Sequence, residues 1–373
     1  MNKEMLMGAK NKNFQSQRLR VARTANGLTL AELGEIIGTS RQYVSQLETG
    51  LSKPGEDILD ALVKELKVKP SFFYKPVQHP VDVREAHFRH RLTTPDSRKK
   101  EVLSKLFIFE ELISALADIF TFPTVIFPEI HCDNLEDVER AAEQTRIALD
   151  IPLSKPVGNL SRIIENAGGI LVSFTGHDAR LDALSVHRSW PIFVILENSI
   201  KQSPARVRFD IGHELGHIVM HGGLETGSKK RELEANRFAS AFLMPRSSFL
   251  NEFPKRIIRF DWNLIYRVKL KLGVSVAAIL KRLFDLGVID SNQYRTGYIY
   301  LSKTGQRQRE KYDEEIALEY PALIKKCIDM LNQNTPKKLA AQKAHLLDDE
   351  FIFKMFGISS HIGEQNNYAA NDS

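Results

Sequence analysis

Cysteine is nearly absent from this 373-residue chain, which carries only Cys132 and Cys327. The two lie far apart and outside any metal-ligand spacing, so neither a disulfide framework nor a zinc ribbon is supported. A long apolar run is missing as well. The most hydrophobic window, FIFEELISALADIFTFPTVIF, is interrupted by Glu110, Glu111 and Asp118, which argues against a membrane span. The opening MNKEMLMGAKNKNF has no apolar stretch of the secretory kind, and no internal repeat is evident. These absences make a cytoplasmic protein with no membrane partner the expectation.

What is present is the composition of an ordinary globular protein, 43% hydrophobic and long enough for two or three domains. The expected fold class is α+β, mainly α. Residues 1–75 read as a run of short helices, and 76–133 as a basic, proline-containing linker with a connecting helix. Residues 134–290 read as a second domain, and 291–373 as a mainly helical region with a polar tail. Within the second domain, 170–175 (ILVSFT), 183–188 (ALSVHR) and 191–197 (PIFVILE) are β-branched and aromatic runs that predict a small sheet of about three strands. Farther on, 297–302 (GYIYLS) reads as a short strand-like piece, and 363–373 (GEQNNYAANDS) as disordered.

Near the N-terminus, two amphipathic segments, 29–38 and 40–50, are separated by a turn at Gly38 and Thr39, with Ser40 placed to cap the second. That is helix-turn-helix geometry. Val44 and Leu47 face inward, leaving Arg41, Gln42, Ser45, Gln46 and Thr49 on the opposite face. Arg can fork onto guanine and Gln onto adenine in the major groove, while Ser and Arg also bind phosphate. Residues 1–75 hold 12 Lys+Arg against 8 Asp+Glu, so much of the chain's net charge of +6 sits here. Over 17–73 the chain resembles the XRE (phage-repressor-like) helix-turn-helix family, through Thr29, Leu30, Leu33, Gly38, Ser40, Val44, Ser45, Glu48, Gly50 and Pro54. The resemblance implies a five-helix domain that binds a double-stranded operator, usually as a homodimer on two half-sites. Gly34 stands where that family usually has alanine, and looser helix packing is the expected consequence.

The densest chemistry lies in HELGHIVMH, residues 213–221. His213 and His217 are four apart, so on a helix both imidazoles leave one face and can hold one metal ion, with Glu214 adjacent. The rest of that helix is apolar over most of its girth, which predicts burial. A third ligand is needed for a catalytic zinc. His221 lies two turns from His213, a rise of about 12 Å, too far to share one ion on a straight helix. The following segment RELEANRFASAFLMP offers Glu232 at the edge of its inner face, while Glu234 points about 100° away on the wheel. Glu232 is therefore the expected third ligand. Ala235 and Ala239 allow a close helix approach, Asn236 can support a ligand histidine, and His221 is expected to act behind the ligands.

RVRFDIGHELGHIVMH followed by ELEANRFASAFLMP closely resembles the ImmA/IrrE family of zinc metallopeptidases, and the resemblance extends over roughly 135–290. It implies a gluzincin-like fold, Zn2+ held by His213, His217 and Glu232, and Glu214 as general base. It also implies a protein substrate: a DNA-bound repressor or antitoxin-like partner, or this chain's own linker. An extended substrate is expected along an edge strand, for which 191–197 is the candidate. His177, His187 and Tyr266 are open candidates for the oxyanion donor. The alternative is a repressor whose zinc fold only senses metal, redox state or a small ligand; an intact Glu214 favours the enzyme.

Overall fold

The computed structural model describes residues 13–77, 86–90, 96–175, 181–187, 189–196, 203–222, 228–333 and 347–358, with the backbone alone at 86–90, 181, 182 and 187. His177 and the tail 363–373 lie outside them. The chain divides into two compact units: Met1–Val83, Thr94–Thr121 and Ile324–Ser373 form one, and Arg84–Thr93 and Phe122–Leu323 the other. The C-terminal region read as a single stretch from 291 is thus shared between the two. No described helix is long and apolar enough to cross a membrane.

In the first unit, α1 (Ser16–Ala25), α2 (Leu30–Ile36), α3 (Arg41–Thr49) and α4 (Glu56–Leu66) precede a 3-10 turn, Pro70–Tyr74. Local chemistry sets these limits. The Thr29 side chain and Glu32 form a reciprocal capping box on α2, and Ser40 accepts the Tyr43 amide to open α3. Gly50 then closes α3 at φ 79°, a left-handed geometry that glycine adopts without strain. Gly34 does not loosen the motif. A Cβ there would meet the Thr39 carbonyl at 3.0 Å and the Arg41 amide at 3.1 Å, so its absence lets the turn close directly onto α2. Fully buried Arg18 forks onto both Glu111 oxygens at 2.5 Å, tying α1 to the 22-residue α5 (Asp96–Ala117).

The second unit is built around a four-stranded sheet in the order β1-β3-β4-β2, where β1 is Ala86–His90, β2 Ile170–Phe174, β3 Leu181–His187 and β4 Pro191–Leu196. β2 runs parallel to β4; the other pairs are antiparallel. Two expectations change here. The stretch read as linker contributes β1, so the small sheet gains a fourth strand. And β4, the expected substrate edge, is an inner strand whose six residues are all buried; its unbroken apolar run is what a strand covered on both faces requires.

Four further helices frame the sheet: α6 (Leu135–Ala148), α7 (Leu160–Asn166), α8 (Pro204–Met220) and α9 (Lys229–Leu243). α8 is buried from Ile211 through Met220, as a helix apolar over most of its girth must be. Gly216 makes its packing on α9 possible, since a Cβ there would meet Phe238 at 3.1 Å. After α10 (Arg246–Leu250), α11 (Trp262–Leu272) and α12 (Val276–Asp285), the strand-like GYIYLS lies inside α13 (Ser291–Lys303). A capping box between Asp290 and Gln293 starts that helix, and Leu301 buries against the core, so tertiary context overrides β-propensity. α14 (Leu323–Gln333) and α15 (Asp349–Phe356) complete the described helices.

Candidate functional site

α8 and α9 bring three side chains to one point. His213 Nε2 and His217 Nε2 lie 3.1 Å apart, and the Glu232 carboxylate is 3.4 Å from each. All three offered ligand atoms fall within 4.8 Å of one another. Donors about 2.0–2.1 Å from one tetrahedral ion would themselves be ~3.3 Å apart, so these separations fit a single metal. Both imidazoles are buried, while Glu232 keeps about a third of its side chain exposed. Burial pushes the Glu232 carboxyl up, but the two imidazoles facing it outweigh that and hold it far below the usual carboxylate range. It is therefore ionised and able to ligate.

Behind these atoms, the proton positions follow from the hydrogen bonds. His221 Nε2–H donates to Glu234 Oε2 at 3.1 Å, and burial, reinforced by His217, lowers the His221 pKa to about 4. Neutral His221 then presents a bare Nδ1 that accepts His217 Nδ1–H at 3.0 Å. With a metal ion in place of the proton that otherwise pairs it with Glu232, His217 Nε2 is left as a lone pair directed at the same point as that carboxylate. On the other ligand, His213 Nδ1–H donates to Asn236 Oδ1 at 3.1 Å, which exposes its own Nε2 in the same way. Two lone pairs and a carboxylate converging in a buried place suit a cation.

Glu214, on the same turn as His213, is 1% exposed and accepts the Ser185 hydroxyl at 2.5 Å, so β3 orients this carboxylate. Sequence reasoning missed Ser185 and Glu234. Ser185 had a signal in being a hydroxyl between Leu184 and Val186 in a strand run. Glu234 was turned away on an isolated wheel, yet it is 5% exposed because α9 lies close enough to α8 to put it against His221. Of the oxyanion candidates, the Tyr266 hydroxyl donates to Gln306 at 2.9 Å, and burial above all raises its pKa to about 12. The side chains of His177 and His187 lie outside the described residues.

On α3, Arg41, Gln42 and Thr49 are exposed, Ser45 and Gln46 half-buried, and Val44 and Leu47 fully buried. The Thr49 hydroxyl turns back to the Ser45 carbonyl at 2.9 Å. Buried Glu48 accepts Arg23 through two bonds of 2.5 and 2.9 Å, a structural pair that holds α3 against α1.

Two family profiles match the chain. One, the IrrE N-terminal-like domain of peptidase family M78, covers residues 169–284; the other, helix-turn-helix, covers 19–73. The chain is also similar to the uncharacterized HTH-type transcriptional regulator y4wC of Sinorhizobium fredii, at 31% identity over 103 residues, which is 28% of this chain and 71% of that protein.

Proposed function

We propose, since the chain belongs to the XRE-type helix-turn-helix transcriptional regulators and carries an IrrE-like peptidase domain, that it is a DNA-binding regulator whose zinc-dependent endopeptidase cuts a repressor or antitoxin-like partner. The observation that carries this reading is the cluster of His213, His217 and Glu232 beside a buried glutamate, Glu214. A structural zinc usually takes four protein ligands and has no need of a base.

His213, His217 and Glu232 are the proposed zinc ligands. Zinc supplies Lewis-acid polarisation of the scissile carbonyl and acidification of water. Glu214 takes the proton of the attacking water and passes it to the leaving amine, while Ser185 keeps its carboxylate in place. Asn236, and His221 with Glu234, fix the tautomers of the two histidines. Glu234→Gln removes the charge that sets this order of protons, and zinc affinity is expected to fall about 10–100-fold. Competition with a chromophoric chelator measures it; an unchanged affinity would show that the relay does not orient His217.

On the DNA side, Arg41, Gln42, Ser45 and Gln46 are proposed to face an operator, bound by a homodimer. Arg41→Ala or Gln42→Ala is expected to cost about 1–3 kcal/mol of sequence discrimination. Anisotropy titrations on an operator selected from a random DNA pool would show it, provided that wild type distinguishes that operator from scrambled DNA. The proposed activity itself is tested by incubating zinc-loaded protein with candidate repressors, with and without their operators. Cleavage that stops on chelation and returns with zinc supports the reading; no cleavage of any repressor, or cleavage indifferent to chelation, counts against it.

A further inference from the structure

The sheet order carries a consequence for peptide binding. β2, β3, β4, α8 and α9 all come from the family-matched region 169–284, whereas β1 comes from Ala86–His90, about eighty residues upstream of β2. Without β1, the open edge of the sheet would be β3, the strand whose Ser185 holds Glu214. An open edge presents unpaired N–H and C=O groups, and adding a strand there is a general way of binding an extended peptide. β1 takes that position antiparallel to β3, with His87 opposite Ser185 and Phe88 opposite Leu184. Partners in such a register lie about 4.5–5.5 Å apart at Cα, which leaves no room for a second strand between them.

Resting on the peptidase reading above, we infer that β3 is the edge on which an extended peptide substrate is laid beside Glu214, and that Ala86–His90 is a tethered occupant which the substrate must displace. The occupant is short. It has five residues and a register shift between Arg89 and His90, so a competing strand has few ladder bonds to replace. Its chain neighbours on both sides, up to Val83 and from Thr94, belong to the other compact unit. The occupant is thus tied at each end to the unit that carries the helix-turn-helix, and is held near β3 at high effective concentration.

The probe is a fluorescein-labelled peptide of residues 84–93, REAHFRHRLT, titrated against zinc-loaded full-length chains that carry Glu214→Gln so that binding is read without hydrolysis. Replacing 86–90 with a glycine-serine linker is expected to tighten peptide binding about tenfold or more, because the competent fraction is no longer reduced by the tether. A second variant, Ala86→Cys with Val186→Cys, joins two register partners within disulfide reach and is expected to bind the peptide only after reduction. Equal binding by the parent, the linker variant and the oxidised pair would overturn the inference. Hydrolysis of candidate repressors by the wild-type chain is scored separately. If displacement is seen without hydrolysis, the peptide edge stands and the peptidase reading fails; if hydrolysis is seen with no difference in binding, the reverse holds.

Discussion

Glu214→Gln is expected to lower the rate of peptide hydrolysis about 10²–10⁴-fold, the usual contribution of a positioned general base, while zinc content and operator affinity stay at the wild-type level. Gln keeps the volume of the side chain and can still engage Ser185, but it cannot take a proton from water. Glu232→Ala is the informative contrast. It removes a carboxylate held ionised against both histidines, so zinc and hydrolysis should be lost together. Zinc per chain, measured beside initial rates of cleavage, separates the two variants. A non-catalytic sensor would instead give wild type and Glu214→Gln identical behaviour in both assays.

The largest expected effect on stability lies elsewhere in the same unit. Glu139 on α6 is 4% exposed; it accepts Arg282 Nη2 at 2.8 Å and Arg282 Nη1, and the Arg237 guanidinium forms an ion pair with it at 2.6 Å. Arg282 is fully buried and also donates to the Met244 carbonyl at 3.0 Å. Glu139→Ala leaves a buried guanidinium without its counter-charge, at a cost of about 3–5 kcal/mol. For a unit of this size that corresponds to a melting temperature lower by roughly 6–20 °C. Replacing Glu139 and Arg282 together with methionine should cost much less, because Arg237 keeps Asp285 at 3.1 Å and no buried charge is left without a partner.

The pH dependence of that pair has a definite sign. Burial raises the Glu139 pKa, but the Arg282 hydrogen bonds and the charges of Arg282, Arg237 and Arg246 outweigh it and leave the folded value below the ordinary 4.5. The unfolded chain therefore binds this proton more readily than the folded one. The pair's stabilisation is complete above pH 4.5 and is lost as the pH falls through the folded value. Urea midpoints of wild type and Glu139→Ala should converge on acidification below 4.5. Parallel curves would show that the carboxylate does not titrate differently on folding.

Particular residues show how far the sequence could be read. The nearness of His213 and His217 follows from helical spacing alone, and the limits of α2 and α3 follow from Thr29, Ser40 and Gly50, because such interactions span only three or four residues. The place of Glu234 could not be read in this way. An isolated wheel ranks positions by a single apolar face, whereas α9 is buried on more than one side and turns Glu234 onto His221. GYIYLS misled for a related reason, since β-propensity is a weak preference that packing against Leu280 and capping by Asp290 overcome.

The sequence by itself determined the helix-turn-helix, the buried helix that carries His213 and His217, and the side of the next helix on which Glu232 lies, since each is encoded by letters a few residues apart. Only the tertiary structure decided that β4 is an inner strand, that residues 86–90 complete the sheet, and that Ser185 meets Glu214 and Glu234 meets His221. Those pairings reach beyond the three or four residues of a local interaction, from 13 positions for His221 and Glu234 to about a hundred for β1 and β3, and strand order depends on hydrogen bonds between main chains, which are alike whatever side chains they carry.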